Sequence, residues 1–217
     1  MSQQATKSLS DAILELKKTE DILLELGMNM FSADNGNLFP IDLVAIGAMK
    51  RTTSNTEGFI TLVKSQNMTC ARSLLRVQID TFMRFLAIWL VDLPHDFANE
   101  VIAGNHIRNI KDRTGNKMTD RYLVDTFSKE YTWLKDVYNN LSGYIHFSAQ
   151  HLFNAVEKID NDTRTLSIYI GTEDSQYPEW SWVETIDYFT ESVNIFLYYL
   201  HSWTVIKDAN NICNKTV

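Results

Sequence analysis

MTCARSLLRVQIDTFMRFLAIWLVDL, residues 68–93, is the stretch that decides the fold. Its apolar residues recur every three or four positions, the spacing that places side chains on one side of an α-helix. Further apolar residues lie elsewhere around the same helix, so we predict a central helix that ends at Pro94. The predicted buried face consists of Met68, Ala71, Leu75, Ile79, Phe82, Leu86 and Trp89.

Two helices are predicted before this segment. The first begins behind the capping pair of Ser8 and Asp11 and ends near Gly27, because glycine commonly follows the last turn of a helix. A loop over residues 32–39 leads to the second helix, which we expect from position 40 to about position 66. Its middle, KRTTSNTEG, is polar, so we expect this helix to be partly exposed or broken there.

The C-terminal part of the chain predicts two more helices and a hairpin. We expect a fourth helix over about residues 129–151 and a hairpin insertion over residues 155–171, whose outgoing strand alternates apolar and polar residues. The last helix is expected to begin with a capping box of Ser181 and Glu184. The segment between the central helix and the fourth helix, residues 95–128, is expected to form short helices and loops.

These elements predict a mainly α protein, an up-and-down helical bundle with a small β-hairpin inserted before the last helix. Residues 1–217 are expected to form a single domain, in which residues 1–39 supply the N-terminal helix and loop. The chain contains only 8 Gly and 3 Pro, which favours long helices over many tight turns.

The charge and the cysteines limit the function. A formal net charge of −7 argues against a surface covered with non-specific nucleic-acid contacts, although a local basic cleft is compatible with it. Cys70 and Cys213 are too far apart for a metal-ligand spacing or a disulfide framework, which favours a reduced, cytoplasmic setting. We predict no membrane segment, because no apolar run reaches the roughly 20 residues that span a bilayer. We predict no metal site and no cofactor, because His, Asp and Glu do not cluster at metal-ligand spacing and no Gly-rich phosphate loop or HExxH motif occurs.

One notably basic segment is NHIRNIKDRTGNKMTDR, residues 105–121. Charged segments between helices are usually solvated, so we interpret this one as a connection at the surface.

A polar stripe follows the central helix, formed by Arg72, Arg76, Asp80 and Arg84 at intervals of four residues. Charges on a central helix are costly unless they are paired. Two interpretations remain open: a ladder of ion pairs from Arg76 through Asp80 to Arg84, or an arginine cluster that binds phosphate, with Asp80 orienting the guanidinium groups.

A second polar row lies in YNNLSGYIHFS, residues 138–148, where Tyr138, Ser142 and His146 are four residues apart. On one continuous helix, His146 would point roughly 140° away from the centre of the apolar side. We therefore expect either an imidazole at the edge of a cleft or a plain surface histidine. Tyr144 is expected to pack towards the core.

The combination of ARSLLRVQIDTFMRF on one helix and LSGYIHFS on a later one resembles HEPN-like proteins, in particular a bacterial branch of undefined function. The resemblance covers about residues 60–205 as an order of helices. It implies a helical bundle that forms homodimers and, as in many members, acts on RNA as a metal-independent ribonuclease. It also suggests a role as a toxin or in phage defence.

The family motif places an Arg beside a small polar residue and a His. The resemblance assigns the polar position to Ser142 and the histidine to His146, but Leu141 stands where the Arg is expected. In the family chemistry the Arg holds the scissile phosphate and the His handles the 2′-hydroxyl proton. Either Arg76 or Arg72 supplies the charge from the neighbouring helix, or cleavage is lost and the pocket binds a nucleotide or a partner.

Our leading hypothesis is therefore a protein that acts on RNA or a nucleotide. His146 would be the general base or acid, Arg76 the phosphate clamp, Asp80 its orienting residue and Ser142 a positioning hydroxyl, with Arg72 and Arg84 as further phosphate-binding groups. This requires the two helices to lie antiparallel and side by side. The alternative is a non-catalytic interaction or ligand-binding bundle, or a regulatory protein partner of another enzyme, which the acidic last helix would suit.

Overall fold

The computed structural model describes residues 7–214, with side chains described as far as residue 209. These residues form a helical bundle with a two-stranded antiparallel hairpin before the last helix, so the predicted fold class is confirmed. The helices are α1 Leu9–Ser32, α2 Pro40–Lys64, α3 Met68–Leu86, α4 Pro94–Ile102, α5 Asp120–Phe127, α6 Leu134–Ile145, α7 Ala149–Asn154 and α8 Glu179–Asn214, and the strands are β1 Val156–Asp160 and β2 Thr165–Ile168.

Helix α3 lies at the centre and packs against α2, α6 and α8. Its predicted apolar face is buried from Met68 to Leu86, with Trp89 partly buried beyond it. Aromatic contacts join it to α8, where the rings of Phe85 and Phe196 meet edge to face at 5.0 Å. The prediction of a central helix is confirmed.

The predicted end of α3 at Pro94 is wrong, because the helix stops at Leu86 and a 3₁₀ turn follows over Ala87–Leu90. Arg113 accounts for the break. Its guanidinium donates to the carbonyl oxygens of Trp89 at 2.7 Å and Val91 at 3.0 Å. Because these carbonyl oxygens already accept hydrogen bonds from Arg113, they do not need the backbone amides of another helical turn as donors.

The predicted end of α1 near Gly27 is also wrong, since the helix continues to Ser32. Gly27 is buried, and a Cβ at this position would lie 2.3 Å from the terminal methyl carbon, Cε, of Met49 in α2. The glycine therefore leaves room for the Met49 side chain rather than ending the helix.

Helix α2 continues unbroken through its polar middle, which is partly exposed as expected, for example at Arg51, Ser54 and Glu57. Thr52 and Asn55 are buried, and both bond to Gln78 of α3. The Asn55 Nδ2 donates to Gln78 Oε1 at 3.0 Å, and Gln78 Nε2 donates to Thr52 Oγ1 at 3.2 Å. A buried polar chain whose groups pair with one another holds α2 on α3 without the desolvation cost of unpaired groups.

The single fourth helix that the sequence predicts over residues 129–151 is wrong as well. The chain forms α6, a break at residues 146–148, and the short helix α7. Ser148 causes the break, because its Oγ accepts from the amide of Gln150 at 3.3 Å while its own amide donates to His151 Nδ1, also at 3.3 Å. These side chains start a new helix instead of extending the old one.

A buried ion pair that the sequence analysis did not identify fixes α8 against α1 and α2. Lys207 and Asp42 have fully buried side chains, and Lys207 Nζ lies 3.0 Å from Asp42 Oδ2. The same ammonium donates to the carbonyl of Met30 at 2.8 Å, and Trp203 Nε1 donates to Asp42 Oδ1 at 2.7 Å. Because both charges are paired and further hydrogen-bonded, the cost of burying them is offset.

One hydrophobic core collects residues from α1 to α8, and within the described chain neither α7 nor the hairpin contributes to it. The last helix begins at Glu179, so the predicted capping box at Ser181 is wrong: Pro178, whose fixed φ suits the start of a helix, lies just before α8. No helix among residues 7–214 is both long enough and apolar enough to cross a membrane.

Candidate functional site

Helices α3 and α6 lie side by side and antiparallel, as the hypothesis requires. Near the start of α3, Ser73 Oγ donates to the carbonyl oxygen of Tyr144 at 3.1 Å. One turn further along α3, Arg76 donates to the hydroxyl of Tyr138, which lies earlier in α6. The seam between these helices therefore runs from Arg72 and Tyr144 at one end to Arg76 and Tyr138 further along.

Arg72 is enclosed by hydroxyl groups and aromatic rings. Its guanidinium donates to the hydroxyl of Tyr144 and, at 3.0 Å, to Ser181 Oγ of α8. The guanidinium carbon lies 5.1 Å from the ring centroid of Tyr144 and 4.9 Å from that of Tyr177. These are cation–π distances, so the rings stabilise the positive charge without neutralising it.

Arg76 has a similar environment with a single tyrosine. Its guanidinium carbon lies 3.5 Å from the ring centroid of Tyr138, whose hydroxyl accepts its hydrogen bond. Burial lowers the pKa of Arg76, while the negative charges of Asp80 and Asp120 oppose that shift. The group is thus a partly desolvated cation.

Neither Arg72 nor Arg76 forms an ion pair with a carboxylate in the part of the chain that the structure describes. We call the surroundings of these two arginines the tyrosine seam, defined by Arg72, Arg76, Tyr138, Tyr144 and Tyr177. Two positive charges without a paired carboxylate make the tyrosine seam attractive to an anion.

The C-terminal half of the polar stripe is different. Asp80 accepts from Arg84 Nε at 2.8 Å and lies 3.8 Å from Arg51. Arg84 also bonds to Asp120 of α5. The predicted ladder is therefore present between Asp80 and Arg84, but no hydrogen bond or ion pair joins Asp80 to Arg76.

Ser142 and His146 do not meet the arginines. Ser142 Oγ donates to the carbonyl of Tyr138 at 2.9 Å, a bond within its own helix. His146 is exposed and caps the end of α6, where its amide donates to the Ser142 carbonyl at 3.2 Å. It lies eight residues beyond Tyr138, or about 12 Å along a helix, so the structure does not bring His146 and Arg76 together.

Tyrosines are the partners of the arginines, which no sequence pattern indicated. Tyr144 is buried, but it does not join the hydrophobic core as expected, and its hydroxyl accepts a hydrogen bond from Arg72. Tyr177 lies in the loop before α8, and its hydroxyl donates to Asn154 Oδ1 at 2.7 Å. Burial is the main cause that raises the pKa of Tyr177, and its hydrogen bond with Tyr144 raises the pKa further. The sequence drew attention to Tyr138 and Tyr144, because they lie in the segment of the predicted polar row, but no pattern pointed to Tyr177.

A cavity of about 220 Å³ opens beside Arg72 between α3, α6 and α8. Asp136 and Glu184 also line it, so it is electrostatically mixed. Its volume is below the roughly 300–1,000 Å³ of typical small-molecule sites, so it admits at most a small fragment, and the two carboxylates of its wall oppose the binding of an anion there.

A larger cavity, of about 610 Å³, lies beside the start of α8. Its cation, Lys7, is already paired with Glu15 at 2.6 Å and Asp187 at 2.5 Å. Glu179 and Glu184 add negative charge to its wall, so this cavity does not suit a phosphate.

The basic segment at residues 105–121 makes structural contacts. Arg113 caps the carbonyls that follow α3, as described above. The carboxylate of Asp112 accepts from the amide of Asn116 at 2.8 Å and the amide of Thr114 at 2.9 Å, and it also bonds to the Tyr122 hydroxyl. Burial raises the pKa of Asp112, but these hydrogen bonds outweigh it and lower the pKa overall.

Among the described residues, no group of three or more His, Cys, Asp or Glu side chains is arranged to hold a metal ion. Comparisons of the chain with protein-family models, with curated proteins and with solved structures give no match. The resemblance to HEPN-like proteins therefore stays a prediction that depends on the residues quoted for it.

Proposed function

We propose that the chain binds the phosphate of an RNA or a nucleotide at the tyrosine seam. One observation carries the proposal: Arg72 and Arg76 are partly buried cations, one turn apart, and neither forms an ion pair with a carboxylate within the described chain. Phosphate oxygens accept charge-assisted hydrogen bonds from guanidinium groups, and the bases of single-stranded RNA stack on tyrosine rings.

Cleavage by His146 is a further step of this proposal. Since His146 lies exposed at the end of α6, a ligand would have to extend from Arg72 past Tyr144 to place a 2′-hydroxyl beside the imidazole. An RNA strand has that reach, whereas a single phosphate has not. Ser142 would act by holding the last turn of α6, because its hydroxyl bonds within the helix.

The test is binding of a fluorescently labelled single-stranded RNA, followed by anisotropy at several salt concentrations. Arg72→Gln and Arg76→Gln should each weaken binding about tenfold, since a charge-assisted hydrogen bond contributes about 1.5–3 kcal/mol. Each variant should also reduce the slope of log K against log salt by about 0.7, the value for one phosphate contact on a single strand.

Two matched variants sharpen the experiment. Arg121→Gln removes an arginine whose side chain is 92% exposed on α5, and it should leave affinity unchanged. Asp136→Asn removes a carboxylate from the wall of the cavity beside Arg72 and should tighten binding. Absence of RNA binding by the wild type, or equal losses for Arg72→Gln and Arg121→Gln, would refute the proposal.

The cleavage step is tested separately, by incubating the same RNA with the protein in the presence of a chelator. Cleavage by the wild type and its loss in His146→Ala would support the catalytic role. Binding without cleavage would support a phosphate-binding protein and reject the ribonuclease hypothesis.

A non-catalytic interaction protein is the second candidate, and a different observation favours it. Large apolar side chains of the hairpin, of α7 and of the segment before α7 are exposed, among them Phe147 at 84% and Phe153 at 71%. Surfaces of this kind are common at contacts between proteins.

A further inference from the structure

The first turns of α8 carry a face on which aromatic and acidic side chains alternate. Trp180, Glu184 and Tyr188 are four residues apart, so they lie in one row along the helix. Val183 and Asp187 form the adjacent row, three residues after Trp180 and Glu184 respectively. All five line the cavity of about 610 Å³ beside the start of α8.

This cavity has the volume of a small-molecule site. Ligand pockets in proteins enclose roughly 300–1,000 Å³, and this one lies within that range. A single metal ion would leave most of the space empty, and among the described residues no three His, Cys, Asp or Glu side chains are arranged to hold one. The size of the cavity therefore suits an organic molecule.

The walls of the cavity carry an excess of negative charge. Glu179, Glu184 and Asp187 contribute three carboxylates against the one ammonium group of Lys7. Glu184 forms no ion pair with a cation of the described chain. Burial raises the pKa of Tyr188, and the negative charge of Glu184 raises that pKa further. The free carboxylate is thus close enough to act on the aromatic wall.

One side of the cavity already stabilises an ammonium group. Lys7 Nζ lies 2.5 Å from Asp187 and 2.6 Å from Glu15. Burial lowers the pKa of Lys7, but the hydrogen bonds to these two carboxylates outweigh burial and raise the pKa overall. Glu184, one turn before Asp187 on α8, is a carboxylate of the same kind without such a partner.

The aromatic rings supply a second, independent feature of an ammonium site. Trp180 is 65% exposed, so its ring is open to a ligand. The ring of Tyr188 stacks on that of Trp133 at 5.3 Å, which holds it in place. The faces of Trp and Tyr rings attract cations, and aromatic cages recognise organic ammonium groups in this way. Glu184 lies one turn from each of the two lining rings.

We propose that this cavity binds an aliphatic polyamine, a small molecule with two or more ammonium groups. One ammonium group pairs with Glu184 between the rings of Trp180 and Tyr188, and a second lies near Glu179 or Asp187. Position 184 is about 7.5 Å along the helix from position 179 and about 4.5 Å from position 187, which is comparable with the length of a short diamine. The excess of two negative charges favours such a ligand over a single cation.

The test is isothermal titration calorimetry of the full chain with putrescine, a linear butanediamine, at low ionic strength. Putrescine is expected to bind, and spermidine, with a third ammonium group, to bind more tightly. Butylamine has one ammonium group and should bind about tenfold more weakly than putrescine, because one charge-assisted hydrogen bond is lost. Butanediol has the same length without charge and should not bind detectably.

Matched variants of α8 locate the site. Glu184→Gln should weaken putrescine binding about tenfold through the loss of one charge-assisted contact. Trp180→Ala should weaken it about threefold through the loss of a cation–π contact. The controls Glu191→Gln and Tyr198→Ala change an exposed carboxylate and an exposed ring of the same helix outside the cavity, and they should leave the affinity unchanged.

Several results would overturn the proposal. They are an absence of putrescine and spermidine binding, an equal effect of Glu184→Gln and Glu191→Gln, or butanediol binding as tight as that of putrescine. Binding of a lysine-rich peptide in place of the amines would also overturn it. Far-UV circular dichroism checks that the variants keep their helices, as expected for exposed positions. No arm of the experiment contains RNA, so this proposal and the tyrosine seam can fail separately.

Discussion

The two halves of the polar stripe on α3 have the same spacing in sequence and opposite electrostatics in the structure. Arg72 and Arg76 face tyrosine rings and hydroxyls of α6 and the loop before α8. Asp80 and Arg84, only four and eight residues after Arg76, form an ion-pair network with Arg51 and Asp120. One half keeps its positive charge and the other neutralises it.

The difference shows how one helix can hold a structural element and a candidate site together. An arginine between two carboxylates has its donors and its charge satisfied, so it contributes to stability and little else. An arginine on a tyrosine ring keeps a charge that an incoming anion can use. The distinction depends on the helices that each half faces. Arg72 and Arg76 face α6 and α8, whereas Asp80 and Arg84 face α2 and α5.

The largest expected effect on stability comes from Arg84→Met, which removes the cation between Asp80 and Asp120. Both carboxylates then lose their main partner, and we expect the free energy of unfolding to fall by about 2 kcal/mol, below the 3–5 kcal/mol of fully buried pairs because these groups are partly exposed. Urea unfolding measures the loss.

The matched variant is Arg76→Met in the other half. It leaves no carboxylate without a partner, so the free energy of unfolding should change by no more than about 1 kcal/mol. Equal losses in the two variants would show that the halves do not differ in the way the geometry indicates.

An intermediate effect is expected from alkaline pH in the tyrosine half. Burial raises the pKa of Tyr177 above the ordinary value of 10.0, so the folded chain keeps a proton that the unfolded chain loses. Stability from this group is therefore present below pH 10 and lost as the pH rises above it. Tyr177→Phe should reduce the fall in Tm between about pH 9 and 11 by about 2–4 °C.

The control for this measurement is Tyr198→Phe, which changes an exposed tyrosine of α8 and should show the same alkaline fall as the wild type. A Tyr177→Phe curve that coincides with the wild-type curve would mean that Tyr177 titrates alike in the folded and unfolded chain.

The smallest effect is expected from Arg51→Gln in the carboxylate half. Arg51 lies 3.8 Å from Asp80 and its side chain is 48% exposed, so the pair is solvated and screened. We expect a loss of about 0.5 kcal/mol or less by urea unfolding, and a smaller one at high salt. A loss of unfolding free energy as large as that of Arg84→Met would mean that Arg51, rather than Arg84, is the main ion-pair partner of Asp80.

Much of the fold could be predicted from the sequence because helical periodicity is local. The apolar spacing of residues 68–93 identified the buried face of α3, and the alternation before α8 identified the hairpin. Errors arose where a side chain from elsewhere acted on the backbone or filled space: Arg113 at the end of α3 and Met49 beside Gly27.

The candidate site was predicted less completely. The sequence singled out Arg72 and Arg76, and the hypothesis built on it required the two helices to lie side by side, which they do. It also put Ser142 and His146 on one continuous helix, whereas Ser148 ends that continuity and leaves His146 exposed at the cap. The tyrosine partners could not be ranked, because any aromatic residue near a helix has a core role as its ordinary explanation.

The sequence by itself determined where the long helices lie and which side of α3 is apolar, since both follow from spacing within a few turns, whereas the helix ends depended on contacts from elsewhere. Only the tertiary structure decided what the charged side chains of those helices meet. Arg72 bonds to Ser181, 109 residues later, and Asp42 bonds to Lys207, 165 residues later. Partners at such separations depend on how the helices pack, and packing is settled by the whole core rather than by any local pattern.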